Sequence, residues 1–504
     1  MQIKQRKDTT AMNAFSGVRG GAVTVAVAAF AMVGVSPPLV GQPSPGELEL
    51  IDSVFVSQAG DTVPAQYGYL WVPESRTKPE GRLVRLGFLR FPSTSPDPGP
   101  PIIYLAGGPG GSGIDAVQGI RFPIFMALRE AGDVIALAQR GTRGSMPFLA
   151  CPEPWVYPLE QVLTREAFLQ SMLAWSQRCV DYWRALGIGL AAYNTAESAD
   201  DVEDVRKALG VDQVSLWGIS YGTHLALSVL RRHPTSVHRA VLAGVEGPDQ
   251  AYKLPRNQQA VLERVDSMVL ADSAASASFP DFLGSIKMVL DTLKKAPAGV
   301  NGQDPNTGQA VSVTIGEFDV QWLTAGSIGD PSILSQLPYL YSLLAAGNFA
   351  SIARFVAGSR TRSMLAMSFT MDCASGASPK RLEEIRREST ETLLGDAVDF
   401  PLPYVCDAWP HATLGDAFRS PVRSDVPTQF ISGTLDGRTP VSNAEEVRSG
   451  FPNSGHLILE GAGHSDGLVL STPRIREVMV EFLKGGVPAD ERVAVPFRIF
   501  VREP

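Results

Sequence analysis

The sequence predicts an α/β fold: a mostly parallel central sheet with an inserted helical cap. Three observations lead there. Apolar strand-like runs alternate with helix-compatible segments between Pro101 and Ala243. One run, beginning at Gln213, passes directly into Gly218-Ile-Ser-Tyr-Gly222 and then into a helix-compatible stretch from Thr223 to Arg232. Strand signals become scarce from Glu246 to about Asp416 and resume at Val426 and His456. The 504 residues therefore divide, in expectation, into an export signal (1–41), a first core segment (42–245), the cap (246–415) and a second core segment (416–504).

At the N-terminus, Lys4, Arg6, Lys7 and Arg19 precede a small-residue apolar stretch from Gly21 to Val35, which Pro37 and Pro38 break. That is the pattern of an export signal. The stretch is short for a membrane span, which needs about 20 residues. A retained anchor is the alternative, because no Ala-x-Ala cleavage site is visible, and the absence of a following cysteine excludes a lipid-modified terminus. The runs Ile51–Ser57, Tyr67–Val72 and Leu83–Phe91 read as opening antiparallel strands. The strand of Pro101, Val134–Gln139, the run before Ser220 and Arg239–Ala243 read as the parallel centre. Before the Gln213 run, Ser198 with Asp201 resembles a capping box opening a helix whose buried stripe is Val202, Val205 and Leu209. In the cap, Gln258–Leu270, Phe282–Leu293 and Ile333–Leu344 are amphipathic, and Asn301–Gly308 is a flexible excursion. The mixed-sign run from Lys380 to Glu388, with Leu382, Ile385 and Leu393 at near-helical spacing, reads as a solvated helix face. Val493–Val501 alternates like an added edge strand. No internal repeat is apparent.

A strand, Gly-x-Ser-x-Gly and a helix in immediate succession form the sequence signature of a nucleophile elbow, as in the α/β-hydrolase fold. Ser220 would sit on a strained turn that projects its hydroxyl beyond the sheet edge. Gly218 and Gly222 flank it because a Cβ there would strike the neighbouring strand or helix. A serine hydroxyl needs a base and a group to orient that base. Asp436, in the loop after the Val426–Ser432 strand, and His464, after the His456–Glu460 strand, follow in the required order. Loops at the carboxyl ends of parallel strands share one sheet edge, so Ser220, Asp436 and His464 can converge. The other histidines read differently: His224, His233 and His238 as surface or helix-end residues, His411 in a loop, His456 beginning a strand. No histidine or cysteine pair has metal-ligand spacing, so neither a metal nor another cofactor is expected.

A second motif, Gly107-Gly-Pro-Gly-Gly-Ser-Gly113, follows the buried strand Pro101–Ala106. It reads as an oxyanion loop in which the Gly108 N–H pairs with the N–H of Tyr221, the residue after the nucleophile. Gly108–Gly113 also fits the dinucleotide fingerprint G-x-G-x-x-G, with Asp133 20 residues further on. Pro109 removes a donor from that supposed cradle, and no clean helical stripe follows before Pro123. A nucleotide-binding oxidoreductase is therefore the remote alternative.

A formal net charge of −8 argues against nucleic acid or an anionic membrane surface as partner. Roughly 460 residues after export suit one large domain with an insertion, expected as a monomer. The four cysteines all lie beyond residue 150, and an even number in an exported chain favours disulfides. Sequence order pairs Cys151 with Cys179 and Cys373 with Cys406; free buried thiols are the alternative.

Taken together, Gly107–Gly113, Gln139-Arg-Gly-Thr-Arg-Gly-Ser145, Tyr193–Gly210, Gly218–Thr223, Gly433–Asp436 and Gly463-His464 make the chain resemble the exported proline iminopeptidase and tripeptidyl aminopeptidase group of α/β-hydrolases. The resemblance covers most of the chain beyond the export segment. It implies a Ser-Asp-His hydrolase with a helical cap, exported to the periplasm or extracellular space, that cleaves short peptides from the N-terminus. Two positions depart from the family: Ala138 replaces an Asp before Gln-Arg-Gly, and Ala106 replaces a frequent His before Gly-Gly. An aminopeptidase needs a carboxylate for the substrate's α-ammonium group, because a buried unpaired charge is costly. Glu246, where the cap begins, is the nearest candidate, with a solvated loop acid as the other reading. Asp266, Asp272 and Asp372 cannot be positioned from sequence. Without such acids, the same three residues would make a carboxylesterase or lactone hydrolase, so the substrate is expected to be a small peptide or an ester.

Overall fold

Ten strands, β1 Leu48–Val56, β2 Thr62–Pro73, β3 Leu83–Phe91, β4 Gly99–Leu105, β5 Gly132–Ala138, β6 Val214–Ser220, β7 Val237–Val245, β8 Thr428–Gly433, β9 Ser454–Glu460 and β10 Glu491–Ala494, form one sheet in the order β1-β2-β3-β5-β4-β6-β7-β8-β9-β10. The coordinates are a computed structural model that describes residues 43–305 and 307–502. The expected export signal and the alternative anchor lie outside the described residues. β1, β2, β3 and β5 pair antiparallel in turn, and every pairing from β5 through β10 is parallel. The chain enters the parallel centre at β4, steps back to β5, then crosses to β6 on the other side. That reversal opens a crevice at the carboxyl ends of β4 and β6, where ligands bind in open α/β sheets.

Parallel strands buried on both faces read as continuous apolar runs, and here successive residues alternate between two cores. Ile103, Ile135 and Leu216 pack under the helices Arg165–Ala185, Thr195–Ala208 and Tyr221–Arg232. Tyr104, Ala136 and Trp217 face the helices Phe122–Leu128 and Pro473–Leu483. The insertion between β7 and β8 has a third core of its own, built from Leu262, Ile286, Leu293, Ile328 and Tyr341.

Several expectations change on contact with the tertiary structure. The helix before β6 starts at Thr195, capped by the Asn194 side chain, which accepts the Glu197 N–H at 3.0 Å. Ser198 therefore lies inside it, and Asp201 is spent on arginines rather than on a cap. The first residues of the Asn301–Gly308 excursion, 301–303, lie in a β-hairpin that pairs Ala298–Gln303 with Ala310–Ile315. Ile333–Leu344 is two helices, Pro331–Leu334 and Leu337–Ala345, because Pro338 suits only a new first turn. A short helix, Gly113–Gln118, does follow the glycine loop. Of the Val493–Val501 segment only Val493 and Ala494 join the sheet, within β10. Beyond it, Phe497, Ile499 and Val501 pack on the insertion's core. His224 is buried between the Gly247 carbonyl and the Ser375 hydroxyl, each 3.1 Å away, instead of at the surface.

Both disulfides form as sequence order pairs them, Cys151–Cys179 and Cys373–Cys406. They close separations of 28 and 33 residues. Loop-closure entropy at that length corresponds to about 3–4 kcal/mol each. Replacing either pair by serine should lower the denaturant midpoint accordingly, and reductant should then shift the unaltered protein's midpoint more than that of either variant.

Candidate active site

Ser220 ends β6 and begins the next helix with φ 54° and ψ −126°, a region that costs a non-glycine residue about 1–3 kcal/mol. The neighbouring glycines make this turn possible. A Cβ on Gly222 would stand 2.0 Å from the Leu105 carbonyl oxygen on β4, and one on Gly218 2.6 Å from the Gly222 carbonyl. The turn lifts the Ser220 hydroxyl into the crevice, where Oγ lies 3.0 Å from His464 Nε2. On the other side of the ring, His464 Nδ1 is 2.7 Å from Asp436 Oδ2. The three sequence-selected residues therefore form one hydrogen-bonded relay.

Asp436 is buried to 1 % exposure yet fully satisfied. Its Oδ1 accepts the N–H groups of Arg438 and Thr439, both at 2.8 Å, and Oδ2 also accepts the Thr439 hydroxyl at 2.7 Å. Burial alone would raise its pKa, but the adjacent His464 and these hydrogen bonds outweigh it and hold the carboxyl below its ordinary value. Thr439 Oγ1 is also 3.0 Å from His464 Nδ1. Sequence reading assigned Thr439 no role; the available signal was a hydroxyl three residues after the acid, in a tight Gly-containing turn. The His464 N–H donates to the Gly329 carbonyl of the insertion at 2.6 Å. Ser465 next to it has φ 54°, and with Ser220 makes the only two positive-φ non-glycine residues among the described residues. Its hydroxyl accepts from Arg121 at 2.7 Å.

The glycine loop closes the opposite wall. A Cβ on Gly107 would approach Ser220 Cβ to 3.0 Å, so the loop lies directly against the nucleophile turn. Gly108 has φ 126°, open only to glycine. Tyr221 is the first residue of its helix, so its N–H has no intrahelical acceptor. Gly108 lines the same cavity as Ser220 and His464, a space of about 550 Å³. Gln139 holds the loop's root by donating to the Ala106 carbonyl at 2.9 Å. Arg140 is wholly buried and forks onto Asp201 at 2.6 and 2.7 Å while donating to the Glu74 and Ala192 carbonyls, both at 2.7 Å.

Glu246 is not a solvated loop acid. It is 1 % exposed, and Oε2 accepts from Lys253 at 2.7 Å, while Oε1 has no hydrogen-bond partner among the described residues. Lys253, not Glu246, lines the cavity, and it also donates to the Gln250 and Ala251 carbonyls. Asp372 and Asp399 stand behind this pair. Burial and the Glu246 charge raise the Asp372 carboxyl well above its ordinary value. Burial, opposed by Lys253, pushes Asp399 up to about 6. Asp266 and Asp272 lie elsewhere on the insertion, Asp272 as the cap of Ser273–Ser278. A carboxyl raised by folding favours the folded state below its unfolded pKa, and that advantage disappears as pH rises through the folded pKa. Stability should therefore decline from about pH 4 to about pH 6 by up to about 3 kcal/mol on account of Asp399. Asp399→Asn should flatten that part of a urea-unfolding profile; an unchanged slope would contradict the raised carboxyl.

The alpha/beta hydrolase fold family model matches residues 100–469. The chain is 30 % identical over 194 residues to the serine protease Hip1 of Mycobacterium tuberculosis, covering 36 % of each chain. It is 28 % identical over 202 residues to the tripeptidyl aminopeptidase of Streptomyces lividans, covering 37 % of this chain and 36 % of that one. The match thus spans just over a third of the length of those two relatives. It is also 25 % identical over 424 residues to the putative hydrolase YuaR of Escherichia coli, covering 80 % of this chain and 81 % of that one. With a strained serine turn at the carboxyl edge of a parallel sheet and a family model matched over most of its length, this chain belongs to the alpha/beta hydrolase fold family.

Proposed function

We propose that the protein is an exported serine hydrolase acting through Ser220, His464 and Asp436. The observation that carries this reading is the relay from Ser220 Oγ to His464 Nε2 at 3.0 Å and from His464 Nδ1 to Asp436 at 2.7 Å, set on a strained turn. In this mechanism His464 Nε2 takes the hydroxyl proton as Ser220 Oγ attacks the carbonyl, and Asp436 fixes the ring tautomer and stabilises the imidazolium. The N–H groups of Gly108 and Tyr221 receive the developing oxyanion. His464 passes its proton to the leaving group, and water then resolves the acyl-enzyme with the same base. The glycine loop's place against Ser220 favours this role over a pyrophosphate cradle. Two disulfides support export, because they persist in oxidising compartments.

The relatives named serine protease and tripeptidyl aminopeptidase support a peptide substrate attacked from its N-terminus. A carboxylesterase or lactone hydrolase is the second reading, and one observation favours it: Glu246, the acid the sequence offers as an anchor for an α-ammonium group, is already paired with Lys253.

Ser220→Ala should cost at least ~10³-fold in turnover, and a serine-directed phosphonate should label Ser220 stoichiometrically. Near-normal turnover in that variant would sink the mechanism, and saturable NAD(P) binding without labelling would revive the oxidoreductase. Thr439→Val removes one hydrogen bond to Asp436 and should lower kcat by about tenfold with little change in KM. Steady-state kinetics across aminoacyl and tripeptidyl anilides, with free and blocked N-termini, and short-chain nitrophenyl esters decide the substrate. Preference for free N-termini establishes the aminopeptidase; fast ester turnover indifferent to the amine establishes the esterase.

A further inference from the structure

Beside the Ser220 cavity lies a second one of about 490 Å³, the size of a small-molecule site. Arg438 lines both, so the two adjoin at its side chain. The second has an aromatic wall: Trp155 and Phe168 pack at 5.0 Å, and Phe168 and Trp322 at 4.9 Å between ring centroids. Phe400 continues the same wall.

The charges in this cavity do not balance. Nearby arginines are neutralised within the fold: Arg165 pairs with Asp396, and the buried Arg360 forks onto Asp319. Arg362 and Arg438, which both line the cavity, have no carboxylate within ion-pair distance among the described residues. Arg362 is exposed to solvent and lies over the Trp322 ring at 5.1 Å. Partial desolvation and the charge of Arg438 press its pKa below the ordinary arginine value. Asp399 feels the Arg438 charge, but its carboxylate accepts from the Lys253 amide. A carboxylate entering this cavity would therefore meet two guanidinium groups beside an apolar wall. Arg438 is also fixed relative to the chemistry, since its own N–H binds Asp436 Oδ1.

We propose that this aromatic cavity is a substrate subsite for an apolar group bearing a carboxylate, with Arg438 and Arg362 as its charge partners. Guanidinium matches carboxylate geometry with paired N–H donors, and the aromatic wall takes the apolar body. The assignment deepens the hydrolase reading and rests on it for the word substrate. The carboxylate can come from the C-terminus of a short peptide or from the acyl group of an ester; the chemistry recognised is the same.

Binding can be read without turnover in the Ser220→Ala protein, by calorimetric titration with 4-phenylbutyrate and its uncharged amide. The acid should bind at least ~10-fold tighter than the amide. That ratio should shrink at high salt and fall below ~3-fold in Arg362→Met and Arg438→Met variants of the same protein. Equal binding of acid and amide, no binding of either, or a ratio that survives both substitutions would overturn the subsite. In the unaltered enzyme, kcat/KM is compared for an apolar short peptide as free acid and as C-terminal amide, and for a succinyl ester and its neutral methyl ester. Preference within one pair identifies the source of the carboxylate, and preference within neither rejects the proposal. Phosphonate labelling keeps the two readings separate. A labelled Ser220 with no acid preference removes the subsite alone, whereas acid preference with an unlabelled Ser220 keeps the subsite and removes the hydrolase.

Discussion

Everything in the site depends on a backbone that cannot relax at Ser220. A residue with a side chain is held at positive φ between a buried strand and a buried helix, and both flanking glycines meet main-chain atoms at distances no Cβ tolerates. The strain persists because the packing around it is over-determined: β4, β6 and the following helix approach as closely as backbones can. Once the turn is fixed, the hydroxyl direction is fixed, and the His464 ring can meet it without further adjustment. Ser465 repeats the device one residue after His464. The energetic cost is concentrated where position matters most.

Buried polar ties transmit that rigidity outward. Arg140 follows directly from the strand that Gln139 anchors to the root of the glycine loop, and it is locked by Asp201 and two carbonyls. Burial would disfavour its charge, but the Asp201 carboxylate more than offsets this, leaving the guanidinium pKa raised. Arg76 draws Glu197, Asp201 and Asp204 into the same network. The conspicuous run from Tyr193 to Gly210 is thus a support for the site, with no group in the cavity itself.

The insertion is attached to the chemistry at a few defined places. Gly329 receives the His464 N–H, and Ser368 donates to the Pro109 carbonyl of the glycine loop at 2.7 Å. Its own core lets it hold shape while contributing Lys253 and, through the neighbouring Asp436 loop, sharing Arg438 with the cavity wall.

The sequence alone determined the sheet's strands apart from the last, the strained turn at Ser220 and the two loops bearing Asp436 and His464, because period, glycine spacing and strand-end position are local properties. β3 coincides with its expected run, Leu83–Phe91. Order along the chain suggested the two cysteine pairs without fixing them, and the structure forms both. What the sequence could not determine were matters of partnership. Ser198 and Asp201 look like a cap by spacing, yet Asn194 caps the helix and Asp201 serves Arg140, a residue 61 positions away. Residues 301–303 are polar enough to read as part of a loose loop, but they pair across a hairpin with 310–312. Glu246 reads equally well as a solvated acid or as an amine anchor until Lys253 is seen beside it. Thr439 gains its place only from the folding of a turn around Asp436. Which charge meets which is decided by tertiary structure, because an ion pair or a buried hydrogen bond joins residues whose separation along the chain carries no trace of their contact.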